Sequence, residues 1–119
     1  MEQIWEKARD ISRLVAQSEE YKALKRANDT LASDRDTVTG INRLSALQEK
    51  IGTALQQGGE PDDADREEFE RLAGSVQVAP AYQAFESARA NFDRLMMRID
   101  EEIAKGIEAG EQSRIILTS

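Results

Sequence analysis

PAYQAFESARANFDRLMMRIDEEIAKGIEA, residues 80–109, is the stretch that decides the fold. Pro80 suits the first turn of a helix, where a missing N–H costs nothing. Tyr82, Phe85, Ala88, Phe92, Leu95, Met96, Ile99, Ile103 and Ile107 then recur at threes and fours, the spacing of one helical face. A helix of about 28 residues is about 42 Å long. A domain of this size cannot cover that length, so part of the helix projects. A projecting apolar stripe implies a second chain. Gly106 and Gly110 are expected to fray its end.

The segments before it have the same character. Ile4, Ala8, Ile11 and Val15, widened by Trp5 and Leu14, place a first helix over about residues 2–16. Ser18 reads as an N-cap, with Glu19 and Glu20 suiting the positive start of a second helix that carries Tyr21, Leu24, Ala27 and Leu31. Ser33 or Asp34 caps a third helix striped by Val38, Ile41, Leu44, Leu47, Ile51 and Leu55. Gly40 and Gly52 interrupt that stripe, each costing roughly 1 kcal/mol against alanine. They mark either a close helix approach or local weakness, and Gly40, near the helix start, reads as weakness.

Gln57-Gly58-Gly59-Glu60-Pro61 is the clearest break in the chain. Asp62 or Asp63 then caps a short fourth helix with Phe69, Leu72 and Ala73 facing inward, ending near Gly74. The fold class expected is all-α: about five helices in a bundle, the long C-terminal helix forming a protruding antiparallel helical arm. A single domain would cover 1–110, with 111–119 as a tail.

The composition agrees. A chain of 119 residues is one domain, able to bury roughly two thirds of its unfolded surface. Apolar residues make up 39% and charged residues 33%, a balance of modest core and solvated helices. The net charge of −7 repels nucleic acid and anionic lipid unless a basic patch reverses the field. The densest cationic groups, Lys22/Lys25/Arg26 and Arg94/Arg98, are flanked by acids and read as solvated faces. No direct nucleic-acid or membrane partner is expected. Met1-Glu2-Gln3 opens without a basic or apolar leader, so the expected location is cytoplasmic.

The chain has neither cysteine nor histidine. That removes thiol nucleophiles, disulfides, Cys-held zinc or iron–sulfur groups, and the Glu-x-x-His pattern of di-iron bundles. Asp34-x-Asp36 resembles the opening of a calcium loop, but Val38 stands at the third ligand position and the glycine comes one place late. Asp63-x-Asp65-x-Glu67 lacks the following glycine and the closing glutamate. Both read as acidic helix starts. Glu101 and Glu102 diverge by about 100° on a helix, so they do not converge on one substrate. Gly58-Gly59 is followed by Glu60, the wrong charge for a phosphate loop. No enzymatic activity and no cofactor are expected.

Trp5, Tyr21, Tyr82 and Met96 are expected in the core, while Met97, about 100° from Met96, suits an adaptable contact surface. Tyr21-x-Ala-Leu-x-x-Ala27 and Tyr82-x-Ala-Phe-x-x-Ala88 echo one another. They either set two similar faces together or reflect helical periodicity alone. Ile115-Ile116-Leu117 folds back on the bundle, docks into a partner or stays disordered as a terminus, folding back being the simplest of these.

The order of these segments resembles the YlbF/YmcA family of small bacterial helical proteins. Three places carry the resemblance. They are the amphipathic opening helix leading into Ser18-Glu19-Glu20-Tyr21-Lys22-Ala23-Leu24, the Asp34 cap before a long helix ending in Gly58-Gly59-Glu60-Pro61, and Val78-Ala79-Pro80-Ala81-Tyr82 before a final helix with Ile99 and Ile103 near its end. Ala79-Pro80 departs from the commoner Asn-Pro start. The resemblance implies a helical bundle with a protruding arm, often dimeric and without enzymatic activity. It also implies a regulator that assembles with related subunits and influences RNA processing by the endoribonuclease RNase Y, with effects on competence, sporulation and biofilm formation. Some partners in that assembly hold iron–sulfur clusters through cysteines, a feature this chain cannot share.

Taken together, these readings expect a non-catalytic regulator or adaptor that forms a homodimer or higher oligomer. Its interface is expected at Phe85, Phe92, Met96, Ile99 and Ile103 on the last helix and Ile51 and Leu55 on the third. The alternative is a structural or cargo-type helical protein whose assembly is itself the function.

Overall fold

The computed structural model describes residues 1–118, with side chains through Glu111. It consists of five helices: α1 (Glu2–Ala16), α2 (Glu19–Ser33), α3 (Arg35–Gln56), α4 (Asp63–Gln77) and α5 (Pro80–Thr118). The all-α expectation holds, with a long C-terminal helix in an extended molecule.

The caps explain the boundaries. Ser18 Oγ accepts a hydrogen bond from Tyr21 N at 3.1 Å and so starts α2. Asp34 Oδ1 accepts from Thr37 N at 3.2 Å, and its other oxygen accepts from Thr37 Oγ1 at 2.8 Å. One residue therefore separates α2 from α3, making a bend rather than a loop. At the far end Gly59 N donates to Ala54 O and Gly58 N to Leu55 O, with Gly58 at φ 78°. This is the paired-bond glycine stop, and it turns the chain into α4.

Two expected ends move. α4 runs past Gly74 to Gln77. A mid-helix glycine costs only about 1 kcal/mol, whereas Pro80 disfavours helical backbone at Ala79. α5 likewise continues through Gly106 and Gly110 instead of fraying. Good helix formers flank both, and Arg98–Glu102 (2.9 Å) and Lys105–Glu102 (3.8 Å) tie its turns together. The 111–119 tail thus begins inside helical backbone, while the side chains of Ile115, Ile116 and Leu117 lie outside the described residues.

α2 and α3 together form one leg of a bent hairpin, α4 and α5 the other. The bend at Asp34 sits level with the start of α5, where Thr30, Ser33, Asp34, Pro80, Ala81 and Ala84 line one shallow groove. α2 packs antiparallel on the first half of α5, and α3 antiparallel on α4. Tyr21 and Phe92 meet on the first pair at 5.9 Å between ring centroids. The two echoed Tyr-x-Ala segments lie on these paired helices, with Leu24 and Phe85 lining one groove. On the second pair, a Cβ placed on Gly40 would stand 3.1 Å from Val76 Cγ2. Gly40 is therefore a close-approach glycine, contrary to the expectation of local weakness. At Gly52 nothing lies within 4 Å, which fits weakness.

The core is small. Leu47 is fully buried, and Val76, Ala88, Thr37 and Asp65 are the other buried side chains among the described residues. The radius of gyration is 22.0 Å, against about 13.5 Å for a compact domain of this length.

Candidate interaction site

α1 is the helix that the fold leaves uncovered. Its apolar stripe is well formed, yet it has no buried residue: Ile4 is 58% exposed, Trp5 49% and Leu14 68%. α1 contacts α2 and faces the distal half of α5 across an open groove. Gln3, Ile4, Lys7, Ala8 and Ile11 form one wall, and Ile103 closes the other, around about 750 Å³. A smaller groove continues it, where Ile11 stands opposite Ile99 and Ile103 between Arg98 and Glu102. Side chains of packed helices interdigitate at about 8–10 Å between axes. Here α1 and α5 stand apart, and the apolar faces of both meet solvent.

The residues expected at an interface fall in three places. Phe85 and Phe92 are half-buried beneath α2. Met96, Ile99 and Ile103 lie on the part of α5 beyond α2, Ile99 and Ile103 at the α1 groove. Ile51 and Leu55 are on the α3–α4 hairpin, remote from that groove in the chain's packing, Ile51 beside Phe69 and Leu55 exposed. The structure thus brings Ile99 and Ile103 together with α1 and sets Ile51 and Leu55 on another element.

Trp5 and Met96 are not core side chains, at 49% and 38% exposure, and Tyr21 is exposed at its edge. Tyr82 is half-buried and Met97 is exposed, as a contact residue would be. The α1 residues Ile4, Trp5, Ile11 and Leu14 are missing from the interface expected from the sequence. Their spacing identifies an apolar face, but nothing local says that α5 fails to cover it.

The charged side chains are occupied in holding the hairpin. Arg43 grips Glu68 with two bonds, Nε to Oε2 at 3.0 Å and Nη2 to Oε1 at 2.8 Å. Those hydrogen bonds hold the Glu68 carboxyl below its ordinary range and raise the Arg43 guanidinium further. Lys50 Nζ lies 3.0 Å from the largely buried Asp65 carboxylate. Asp63 pairs with Arg66, and Asp34 caps α3. Within the two calcium-like acidic strings, Asp34 thus serves as a cap and Asp63 and Asp65 as ion-pair partners. Among the described residues no group of three or more acidic side chains is placed to hold a metal ion. No described helix is long and apolar enough to cross a membrane. Within the cationic groups, Lys22 pairs with Glu19 and Arg98 with Glu101 and Glu102.

This arrangement of a bent hairpin with a long C-terminal helix can be set beside known proteins. A profile of the family described as "Control of competence regulator ComK, YlbF/YmcA" matches residues 4–108. The chain belongs to the YlbF/YmcA family. Among its relatives is a UPF0342 protein of Limosilactobacillus reuteri (strain DSM 20016), 22% identical over 105 residues that cover 88% of this chain and 85% of the other. A UPF0342 protein of Streptococcus pneumoniae (strain Hungary19A-6) is 31% identical over 77 residues, covering 65% and 69%. The match to the YlbF/YmcA family runs from Ile4 on α1 through the bent hairpin to Glu108 on α5, so the uncovered α1–α5 region lies within the family's shared length.

Proposed function

We propose that this YlbF/YmcA-family chain is a non-catalytic cytoplasmic regulator or adaptor that associates with itself and with partner proteins through helical faces. The observation that carries the proposal is the open apolar groove between α1 and the distal half of α5. A contiguous exposed apolar stripe of this kind marks a surface for a partner. The absence of histidine and cysteine from the sequence supports a non-catalytic role, as does the use of Asp34, Asp63, Asp65 and Glu68 in caps and pairs. On the family resemblance, the process regulated is RNA processing and the developmental choices that follow from it, acting through proteins and not by direct RNA contact.

Two measurements test this. Sedimentation equilibrium across micromolar concentrations is expected to give a mass above the 13.3 kDa monomer, and a strict monomer would overturn self-association. Affinity capture from native lysate is expected to recover ribonuclease components or related family subunits. Recovery of the chain alone favours the second reading, a structural helical protein whose assembly is the function, for which the same groove suffices. RNA affinity falling steeply with salt would contradict the charge argument.

A further inference from the structure

We infer that the apolar groove toward the turn of the α3–α4 hairpin docks a lysine- or arginine-rich amphipathic helix of a partner protein. This surface is separate from the α1–α5 groove, so its failure would leave the reading above standing. Gln48 and Ile51 on α3 face Arg66, Phe69 and Glu70 on α4 around about 310 Å³. Leu55 extends the same face of α3 by one turn and is 59% exposed. Between Ile51 and Leu55 lies Gly52, where an added Cβ would meet nothing within 4 Å. The α3 wall is therefore bare at that point. A third helix laid along it would cover Ile51, Leu55 and Phe69 with apolar side chains of its own, one turn apart.

Charge names the occupant. Residues 60–71 hold seven acids and two arginines, a net −5 of the chain's −7. Asp63, Asp65 and Glu68 are paired with Arg66, Lys50 and Arg43. Among the described residues Glu60, Asp62, Glu67 and Glu70 have no ion-pair partner, and all four are exposed. Glu67 and Glu70 follow Asp63 along one face of α4, and Glu70 itself lines the groove. An apolar groove edged by unpaired carboxylates fits an apolar stripe flanked by lysine or arginine, and the same field speeds the encounter.

Other occupants meet that field with the wrong sign. Two copies of this acidic turn repel one another, and nucleic acid and anionic lipid are repelled as well. Among the described residues no group of three or more acidic side chains is placed to hold a metal ion, so the carboxylates are left to a cationic chain.

The test uses the full chain and a fluorescent helical peptide of about 18 residues, with leucine on one face and lysine elsewhere. A second peptide carries glutamate for every lysine. Anisotropy at about 0.15 M salt is expected to show the leucine–lysine peptide binding at least about 100-fold more tightly than the leucine–glutamate one. Leu55→Ser and Glu67→Lys/Glu70→Lys should each weaken binding about tenfold or more while leaving the circular dichroism unchanged, because these side chains are exposed. Glu2→Lys/Glu6→Lys makes the same charge change on α1 and is expected to leave the affinity within about twofold of the wild type. Absence of binding, equal affinity for both peptides, or full affinity in either hairpin variant would overturn the inference. An equal loss in the α1 variant would do so too, since it would reduce the effect to general attraction. Self-association lost in Leu55→Ser would seat a second copy in this groove and overturn it as well.

Discussion

Gly40 and Val76 meet at a close approach of α3 and α4, with 3.1 Å between Val76 Cγ2 and the place a Gly40 side chain would occupy. Val76 is buried there, and α4 is held in register toward the Gly58–Gly59 turn by Arg43–Glu68 and Lys50–Asp65. The valine cannot retreat without moving the helix. Gly40→Leu is therefore expected to destabilise the fold by about 1–3 kcal/mol through overpacking, read as a lowered urea midpoint. Gly52→Ala is the opposite case. Nothing lies within 4 Å, so the gain in helix propensity should raise stability by about 0.5–1 kcal/mol. A destabilised Gly52→Ala would show that this stretch of α3 is not the free helix surface described.

Among the described residues Leu47 is the one large side chain with no exposed surface. Leu47→Ala should cost about 2–5 kcal/mol, a large part of the stability of a domain this small. Thermal unfolding followed by circular dichroism measures it. A cost below about 1 kcal/mol would mean that the site collapses around the smaller residue.

Asp34 caps α3 at the bend, its two oxygens engaged by Thr37 N and Oγ1. Asp34→Ala should cost about 0.5–2 kcal/mol and loosen the bend, which amide hydrogen exchange at the first turn of α3 would report. Protection unchanged in that turn would assign the bend to packing alone.

Glu68 gives the pH dependence a sign. Its carboxyl is lowered by the Arg43 hydrogen bonds, so the folded state holds the ionised form more tightly than the unfolded chain does. That contribution is complete above the ordinary carboxylate range and is lost as pH falls through it toward the lowered folded value. Arg43 stays charged throughout. Unfolding midpoints from pH 7 down to pH 3 should fall less steeply in Glu68→Gln than in the wild type. Parallel curves for the two would show that the pair contributes no linkage.

Ile99 lies half-buried at the α1 groove. Ile99→Asp is expected to weaken self-association at least tenfold, because a buried carboxylate would face apolar side chains. Equilibrium sedimentation reads the effect, with circular dichroism checking that the chain stays helical. A wild-type mass distribution from a folded Ile99→Asp chain would contradict the role given to this part of α5.

Much of the architecture is local and was legible in the residues themselves. The 3.6-residue spacing of apolar positions marks all five helices, Ser18 and Asp34 announce their caps, and Gly58-Gly59 announces the turn. Each of these signals acts within one or two turns of chain, which is why a linear reading recovers it. The same locality misplaced Gly74, Gly106 and Gly110, because a single glycine's cost is small enough for neighbouring residues to outweigh.

What required the tertiary structure is non-local. Periodicity says that Gly40 lies in a helix and that Trp5 lies on an apolar face, but not what stands opposite either of them. Only the antiparallel pairing of α3 with α4 puts Val76 over Gly40, and only the length of α2 leaves α5 uncovered beyond about Leu95. By itself the sequence determined five helices, the Ser18 cap, a start for α3 at Ser33 or Asp34 and a chain without the side chains of common catalytic pairs. Packing, which joins residues tens of positions apart, decided that α1 and α5 stand open to solvent and that their apolar faces form one groove.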